Sequence, residues 1–347
     1  MNGPDPAPRW ISEAEVVSMM DMREAIEALE RGLLCEARGE AQNMVKTHVA
    51  WGKGSTLHAI GAAFSEAGLA GTKTWAHAGG GATPLLILFD GNSGALRAVI
   101  EAFALGQLRT GSASGVATRW LAAENADELA IIGTGKQGLA QVAAVAAVRP
   151  IRRVRAFGRD ENRRAEFAAR VEKELGIETR AAKSIDEAVR DARVITLVTR
   201  AKEPFLRSEM VSRGAHINAM GAIVPGAAEV AQDVLGRSSR IVVDSVPQAQ
   251  RLSRELMDFF ITRPEGWEQV QSLAGVAAAR RQRNTQDDLT LFKSLGMGIS
   301  DLSLGIELYK KALRLDLGRS FPHPQAAVPR MRSIHQRDTE NTTEPRA

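Results

Sequence analysis

Cysteine is almost absent from this chain of 347 residues, which contains only Cys35. One cysteine cannot form a disulfide within the chain, and this excludes the disulfide-rich scaffolds of small secreted proteins. The first ten residues, MNGPDPAPRW, lack the basic and apolar segments of a signal peptide. We therefore expect a protein of a reducing compartment, the cytoplasm.

Long apolar runs are also missing. No segment approaches the roughly 20 apolar residues that span a bilayer, so we expect no membrane association. The longest apolar run, near residues 139–148, is alanine-rich and predicts a buried helix. Neither sign of charge is in large excess, because 45 Lys and Arg residues oppose 41 Asp and Glu residues. The small surplus is dispersed, and we expect no nucleic-acid partner.

Metal-binding and nucleophile motifs are absent too. The chain contains no H-E-x-x-H, no C-x-x-C and no carboxylate-rich loop, so we expect no metal site. It also lacks the G-x-S-x-G of serine hydrolases. Its composition, 44% hydrophobic and 25% charged, is that of an ordinary globular protein, and its length predicts two domains.

The first third predicts helices followed by an antiparallel sheet. Residues 11–38 have helical spacing, and Ser12 with Glu15 predicts a capping box. The apolar segments PLLILF and ALRAVIEAF, separated by the turn residues DGNSG, predict a hairpin.

The middle of the chain predicts a different architecture. From Glu128 onward, short apolar strands alternate with helical segments, which indicates a doubly wound parallel sheet. Residues 290–315 have apolar positions at helical spacing and predict a helix. The polar tail, residues 329–347, is predicted to be disordered. The predicted fold class is therefore α/β, a Rossmann sheet plus a second domain.

The segment GTGKQG carries the most specific motif. Gly133, Gly135 and Gly138 follow an apolar strand and open a helix. In this context the glycines allow a tight turn, close approach of a pyrophosphate and close helix packing, and the helix N-terminus attracts phosphate. A tight turn without ligand is the alternative, and the context favours NAD(H) or NADP(H).

The end of the next strand predicts which dinucleotide binds. An arginine there pairs with a 2′-phosphate, whereas an acidic residue accepts hydrogen bonds from a ribose. The chain offers both, Arg159 and then Asp160. Because Arg159 comes first, the order favours NADP(H), although a solvated loop arginine is the rival interpretation.

Three cationic residues of the first domain are candidates for a substrate site. Lys73 lies between small and aromatic residues, away from other charges in the sequence, where burial would lower its pKa. Arg109 lies among small residues in GQLRTGSASG and suits a substrate carboxylate. Lys46 is a second basic group of the region. A solvated surface charge is the alternative for each; it is about as good an interpretation for Lys46, whereas the small neighbours of Lys73 and Arg109 argue mildly against it. The histidines are weaker candidates, since such residues more often bond nearby backbone: His48, His58, His77 and His216.

Taken together, these segments resemble the ornithine cyclodeaminase/mu-crystallin family from about Ile11 to about Gly318. The similar segments are GTK at Gly71, TPLLILFDGNSGALRAVIEA, RTGSASGVATRWLA from Arg109, IIGTGKQG, TRAKEP from Thr199, HINAMGAIVPGAAEV from His216, VDSVPQAQ from Val243 and TLFKSLGMGISDL from Thr290. Each is weak alone, but their order and spacing are specific.

The resemblance implies domains, partners and roles. It implies a substrate-binding and dimerisation domain over residues 1–117, a Rossmann domain over 118–304 and a helix over 305–328 that rejoins the first domain. It implies a homodimer with a small amino- or imino-acid substrate. Lys73 corresponds to the family's catalytic lysine and Arg109 to its carboxylate-binding arginine, while Lys46 or Thr47 lies near another substrate ligand. The implied cofactor-binding positions are Gly133, Gly135, Lys136, Gln137, Gly138, Arg159, Thr199, Met220 and Ser294.

One position departs from the family pattern. Ornithine cyclodeaminases carry an aspartate where this chain has Ile223, and isoleucine cannot hold a cationic amine or move a proton. Glu229 is a nearby acid that could substitute. Ile223 and Val224 suggest an apolar side-chain pocket, with Trp51, Trp75 and Met220 as further candidates for its walls.

Three functions are therefore open. The first is an NAD(P)H-dependent reductase of a small cyclic imino acid or ketimine, such as Δ1-pyrroline-2-carboxylate, or in reverse an amino-acid dehydrogenase. The second is ornithine cyclodeaminase, which Ile223 disfavours. The third is a non-catalytic dinucleotide- or ligand-binding protein, which the retained Lys73 and Arg109 disfavour.

Overall fold

A computed structural model describes residues 6–329. The predicted disordered tail lies outside the described residues apart from its first residue, Pro329. Among the residues described, no helix is both long enough and apolar enough to cross a membrane.

The chain folds into two sheets with helices between and around them. The strands of the described chain are β1 (Arg9–Ile11), β2 (Ala41–Asn43), β3 (Thr47–Trp51), β4 (Ser55–Phe64), β5 (Leu69–Ala78), β6 (Gly81–Asp90), β7 (Leu96–Glu101), β8 (Glu128–Ile132), β9 (Arg153–Phe157), β10 (Glu178–Ala181), β11 (Val194–Leu197), β12 (His216–Ala219), β13 (Ser238–Val243), β14 (Gln271–Ser272), β15 (Leu289–Lys293) and β16 (Arg319–Ser320). The helices are α1 (Glu13–Met19), α2 (Met22–Ala37), α3 (Phe103–Leu121), α4 (Gly138–Ala146), α5 (Glu161–Leu175), α6 (Ile185–Val189), α7 (Gln232–Arg237), α8 (Val246–Leu252), α9 (Arg254–Phe260), α10 (Leu273–Ala279) and α11 (Gly298–Leu315).

The first sheet has the order β16-β1-β7-β6-β5-β4-β2, with β3 also paired to β4. Strands β4 to β7 are antiparallel, which confirms the predicted hairpin as β6 and β7. One face of this sheet packs on α11, where Leu86 and Leu88 are fully buried. The alternate residues Leu85 and Ile87 point to the opposite face and remain half-buried.

The second sheet is the predicted Rossmann sheet. Its order is β10-β9-β8-β11-β12-β15-β13-β14, and every pair in it is parallel. Its central strands are buried on both faces, as continuous apolar runs predict. The fold is therefore α/β, and the strand order reverses direction between β8 and β11, where such sheets bind ligands.

The helix predicted over residues 290–315 begins later than its pattern indicates. Residues Leu289–Lys293 form β15, which lies between β12 and β13, and α11 starts at Gly298. The prediction is wrong for this segment because a short apolar run does not distinguish a buried strand from a buried helix. The sheet supplies two hydrogen-bonding neighbours, and these outweigh the periodicity.

Helix α3 joins the two sheets, and its small residues allow close packing. A Cβ added at Gly111 would lie 2.8 Å from the Ala140 carbonyl oxygen, and one at Gly115 would lie 2.5 Å from Ile26. A buried polar chain also ties α3 to the Rossmann sheet. His216 bonds Thr290 and Asn218 within the sheet, both at 3.1 Å. These two residues reach α3, because Asn218 Nδ2 donates to Thr118 Oγ1 at 3.0 Å and the Thr290 hydroxyl donates to the Leu121 carbonyl oxygen at 2.8 Å.

Candidate active site

The turn after β8 has the geometry that a dinucleotide phosphate requires. Gly133 has a φ of +117°, and a Cβ there would lie 2.5 Å from the Val198 carbonyl oxygen. A Cβ at Gly138 would lie 2.8 Å from the Phe167 ring. By contrast, Gly135 faces open space, with no atom within 4 Å of an added Cβ. Two glycines therefore serve the turn and its packing, and the third leaves room for a ligand.

Helix α4 begins directly at this turn without a side-chain cap. Gln137 is its N-cap residue, and its side chain accepts no hydrogen bond from the first turn. Lys136 beside it is exposed. The first N–H groups of a helix attract anions through their partial positive charge. The residues present therefore fit a dinucleotide pyrophosphate.

The two residues after β9 that bear on the choice between NADP(H) and NAD(H) differ in their contacts. Asp160 is the N-cap of α5, and its Oδ1 accepts a hydrogen bond from the Arg163 N–H at 2.9 Å. This hydrogen bond occupies one oxygen of the carboxylate that was expected to accept hydrogen bonds from a ribose. Arg159 is exposed beside it.

The other predicted cofactor residues lie along the same edge of the sheet. Thr199 follows β11, Met220 follows β12 and Ser294 follows β15. Because parallel strands share their carboxyl edge, these positions line up with Gly133 beyond β8. Met220 and Ser294 are both buried, each 5% exposed.

Lys73 is buried in the first domain, and a carboxylate compensates its charge. Its side chain extends from β5 and donates a hydrogen bond to Asp301 Oδ1 at 2.5 Å. Asp301 lies in α11 and is fully buried, and within residues 6–329 its Oδ2 has no hydrogen-bond partner. Lys73 has no charged neighbour in its own segment of the sequence, and a residue remote in sequence brings a carboxylate against it.

The electrostatics of Lys73 agree with the predicted effect of burial. Burial lowers the pKa of Lys73 to about 8, and the positive charges of Arg109 and Lys46 lower it as well. The Asp301 carboxylate acts in the opposite direction. A lysine with this pKa exists in both protonation states near neutral pH.

Arg109 lies on α3 and approaches the same carboxylate. Its Nε is 3.5 Å from Asp301 Oδ1, and this buried Nε has no hydrogen-bond partner among the described residues. The small residues that surround Arg109 in the sequence pack α3 against its neighbours. They also keep the guanidinium partly accessible, with 22% of its side chain exposed.

Lys46 lies between β2 and β3 and is half-buried. Burial lowers its pKa, and the charge of Arg109 lowers it further, whereas Asp244 and Asp301 raise it. Lys46 therefore interacts with the charges around Lys73 and Arg109. Thr47, the other residue considered at this place, is exposed at the start of β3.

Residues 294–297 link the cationic cluster to the carboxyl edge of the Rossmann sheet. Asp244, at the end of β13, is 2% exposed, and its Oδ2 accepts hydrogen bonds from the Ser294 hydroxyl and from the Leu295 and Gly296 N–H groups. A Cβ at Gly296 would lie 3.1 Å from Arg109 Nη1, so the guanidinium rests against this segment. The two sets of predicted residues therefore meet here.

A second acidic group stands beside this segment. Asn43 accepts a hydrogen bond from the Ile299 N–H and donates one to Glu36 Oε1, both at 2.9 Å. Burial raises the pKa of Glu36 to about 7, and the charge of Asp244 adds to this effect. Asp244, Asp301 and Glu36 were not predicted. Each is one acid in an apolar or mixed segment, and only contacts distant in sequence reveal its position.

Aromatic rings cover one side of Lys73. Its Nζ lies 5.2 Å from the centroid of Trp75, and Trp75 stacks on His58 at 4.7 Å. His58 in turn stacks on His48 at 5.5 Å. Trp75 is therefore a wall residue near the cluster, whereas Trp51 is 49% exposed at the end of β3. His77 is exposed, and His216 is a buried residue of the core.

The loop after β12 carries the position that departs from the family pattern. Ile223 and Val224 are 39% and 51% exposed. Glu229, the acid considered as a substitute, is fully buried and accepts hydrogen bonds from Thr199, Gly221 and Ala222. Its carboxylate is therefore already engaged with the protein and does not replace a substrate-binding aspartate.

Known proteins resemble the chain over most of its length. Residues 9–315 match the family model described as ornithine cyclodeaminase/mu-crystallin family. The chain is 31% identical over 242 residues to a Δ1-pyrroline-2-carboxylate reductase of Bacillus cereus, which covers 68% of this chain and 73% of the relative.

Two solved structures share the fold closely. The Δ1-pyrroline-2-carboxylate reductase of Thermococcus litoralis, in complex with NADH and L-proline, superposes with a TM-score of 0.83 at 27% identity, over 90% of this chain and 100% of that one. An archaeal alanine dehydrogenase dimer with bound NAD superposes with a TM-score of 0.82 at 29% identity, over 91% and 99% of the two chains.

Proposed function

The chain belongs to the ornithine cyclodeaminase/mu-crystallin family, and from that premise we propose that it is an NAD(P)H-dependent reductase of a small cyclic imino acid such as Δ1-pyrroline-2-carboxylate. The observation that carries the proposal is the buried cluster of Lys73, Arg109 and Asp301 beside the carboxyl edge of a Rossmann sheet. Similarity to reductases of this substrate supports it.

The cationic residues bind the substrate carboxylate. Arg109, Lys73 and Lys46 carry three positive charges, and the carboxylates of Asp301 and Asp244 oppose them with two negative charges. The surplus attracts an anion, and the planar guanidinium orients a carboxylate. Asp301 holds both cations in place, so less conformational freedom is lost when the substrate binds.

Lys73 also supplies a proton. The reduced cofactor, when bound, supplies the hydride that the C=N carbon accepts. The ammonium of Lys73 donates a proton to the nitrogen of this bond and regains one from water, so that C=N becomes CH–NH. A pKa of about 8 suits this role, because the group is mostly protonated at neutral pH yet releases its proton readily.

The turn after β8 and the edge residues of the neighbouring strands would hold the cofactor. The residues of the turn that would bind the pyrophosphate are Gly133, Gly135, Lys136, Gln137 and Gly138. On the nicotinamide side the residues would be Thr199, Met220 and Ser294. We assign Arg159 to a 2′-phosphate, which favours NADP(H) over NAD(H).

The cofactor preference is tested with Arg159→Ala. The substitution removes the charge that faces the 2′-phosphate, so we expect the ratio of NADPH to NADH affinity to fall about tenfold, the effect of losing one charge-assisted bond. Fluorescence titration with both cofactors measures this ratio, and Arg152→Ala, an exposed arginine outside the turn, is the control. An unchanged ratio contradicts the assignment.

A direct assay tests the reductase. Purified protein is mixed with NADPH or NADH and Δ1-pyrroline-2-carboxylate, and absorbance is followed at ~340 nm, the nicotinamide band of the reduced cofactor. We expect the wild type to oxidise the reduced cofactor and the Lys73→Ala variant to lose this activity. The control variant Lys173→Ala, which removes an exposed lysine, should keep it. Ammonia release from ornithine without net cofactor oxidation would instead identify a cyclodeaminase. Silence in both assays would contradict the proposal.

Homodimerisation and a cytoplasmic location complete the proposal. The outward face of the first sheet carries half-buried Leu85 and Ile87 and exposed Val49, Leu57 and Phe89. Helix α11 packs against the opposite face, where Leu86 and Leu88 are fully buried. Apolar side chains that cluster on one accessible sheet face are typical of an interaction surface. The dimeric alanine dehydrogenase neighbour supports the same assembly.

A further inference from the structure

The two loops that follow β11 and β12 are both hydrogen-bonded to one buried carboxylate. Glu229 is fully buried, and its Oε1 accepts hydrogen bonds from the Thr199 N–H and hydroxyl, both at 2.7 Å. Its Oε2 accepts hydrogen bonds from the N–H groups of Gly221 at 2.8 Å and Ala222 at 3.2 Å. The first pair of donors follows β11, and the second follows β12.

Four donors saturate the acceptor capacity of a carboxylate. A neutral residue of the same shape could not accept all four bonds, since an amide nitrogen is itself a donor. The approach is also too close for any side chain at Gly221, where a Cβ would lie 2.4 Å from Glu229 Oε1 and 2.2 Å from the Thr199 carbonyl oxygen. The two loops therefore have one joint arrangement, with Glu229 at its centre.

Two further buried charges hold Glu229. Its own N–H and that of Val230 donate to Glu255 Oε1 at 2.7 and 3.1 Å. Glu255 Oε2 forms an ion pair with Lys293 Nζ at 2.7 Å, and both side chains are almost fully buried. Lys293 is the last residue of β15, directly before Ser294. Three adjacent strand ends are thus connected through Glu229, Glu255 and Lys293.

The position of this network in the sheet determines which half of the cofactor it faces. A dinucleotide lies across the carboxyl edge at the switch point, and the residue after the second strand meets the adenosine ribose. Arg159 and Asp160, after β9, therefore mark the adenosine side, and the glycine turn after β8 marks the pyrophosphate. The strands on the other side of β8 are β11 and β12, so their loops face the nicotinamide half.

From these contacts we infer that Glu229, supported by Glu255 and Lys293, is a positioning residue that fixes the β11 and β12 loops for the nicotinamide half of the cofactor. Burying two carboxylates against one lysine is costly unless the arrangement serves a purpose such as this. This role differs from that of an acid that acts on the amine of a substrate. The inference rests on the dinucleotide cofactor named in the proposed function, and it does not depend on which imino acid is the substrate.

Glu229→Gln is the first test. It keeps the shape of the side chain, but it replaces one accepting oxygen of the carboxylate with an NH2 group that faces other hydrogen-bond donors. Binding of NADH is compared with binding of ADP-ribose, which lacks nicotinamide. If the wild type prefers NADPH, that cofactor and 2′-phospho-ADP-ribose replace them. We expect the Kd of the full cofactor to rise about tenfold and the Kd of the truncated one to stay within about twofold. The emission of bound NADH or NADPH should also shift towards that of the free cofactor.

Two more variants keep the test decisive. Glu229→Asp retains the charge but is too short to reach both loops, and it should show the same split if Glu229→Gln does not fold. Glu187→Gln removes an exposed carboxylate that accepts a backbone N–H from Lys183, and it should leave both Kd values unchanged. Equal weakening of both ligands, or of neither, in a folded variant would overturn the inference. A wild type that binds no dinucleotide would overturn the proposed function together with it.

Discussion

The protonation of Lys73 depends on its immediate neighbours. Burial lowers its pKa to about 8 from an ordinary value of 10.5, while Asp301 counteracts part of that effect. Because the charged form binds a carboxylate and donates a proton, its loss should stop the reaction. We therefore assign the basic limb of the pH dependence of activity to Lys73.

We expect kcat/KM to fall as pH rises through about 8, since the free enzyme then loses the ammonium. The basic limb of kcat should lie at higher pH, because a bound substrate carboxylate stabilises the charged lysine. Initial rates over a range of pH, at low and at saturating substrate, measure both limbs. A limb near 10.5, the ordinary lysine value, would contradict the assignment.

Removing the Asp301 charge should move that limb. In Asp301→Asn nothing opposes burial and the neighbouring cations, so the pKa of Lys73 falls below 8 and the limb shifts to lower pH. At neutral pH a pKa roughly one unit lower about halves the protonated fraction of Lys73, and lost orientation adds to this effect, so we expect kcat/KM to drop about threefold or more. Asp258→Asn, an exposed aspartate on α9, is the control. If the limb stays in place, Asp301 does not act on Lys73.

At the scale of secondary-structure elements, local chemistry predicts most boundaries. Ser12 and Glu15 form the predicted capping box of α1, and Gly176 ends α5 with a φ of +67°. These features depend on residues within one turn of each other, so the sequence states them directly. The segment Leu289–Lys293 is the exception, because its strand exists only between two partner strands.

The glycine turn allows a prediction at this scale. Gly135→Ala adds a methyl group where the protein itself has no neighbour, so the free energy of unfolding should change little. The same methyl group would fill the space for the pyrophosphate, and we expect the Kd for NAD(P)H to rise at least about tenfold. Fluorescence titration and thermal unfolding measure the two effects.

Gly236→Ala on α7 is the matched control, because its added Cβ also meets no atom within 4 Å. It should leave cofactor affinity unchanged. If Gly135→Ala binds the cofactor as tightly as the wild type, the ligand does not occupy this turn.

At the scale of the whole molecule, the uncovered face of the first sheet predicts the assembly. PLLILF is apolar at every position, and only alternate residues pack on α11. The remaining ones face outward, where a second copy of the chain would cover them.

We expect Ile87→Lys to convert a dimer into a monomer of 37.4 kDa, since a charge at the centre of the face cannot be buried unpaired. Light scattering after size exclusion measures the mass. Ile261→Lys changes an isoleucine that is 77% exposed outside the sheet and should leave the mass unchanged. A dimeric Ile87→Lys variant would place the interface elsewhere.

The sequence alone determined the features that arise from short-range interactions. The turn at Gly133, Gly135 and Gly138 needs a strand before it and a helix after it. The strand, the turn and the helix follow one another directly in the chain. The hairpin of β6 and β7 and the caps of α1 and α5 follow in the same way. The small-residue surroundings of Lys73 and Arg109 made them candidates, and the family resemblance implied a role for each.

Only the tertiary structure decided which charges meet. Asp301 reaches Lys73 across 228 residues, and Asp244 reaches residues 294–297 across about fifty. Glu229 joins Thr199 and Gly221 from loops that follow different strands. An isolated acid in the sequence gives no sign of its partner, because burial, and hence its charge and pKa, depends on packing between elements. The candidate site is therefore local in its glycines and long-range in its electrostatics.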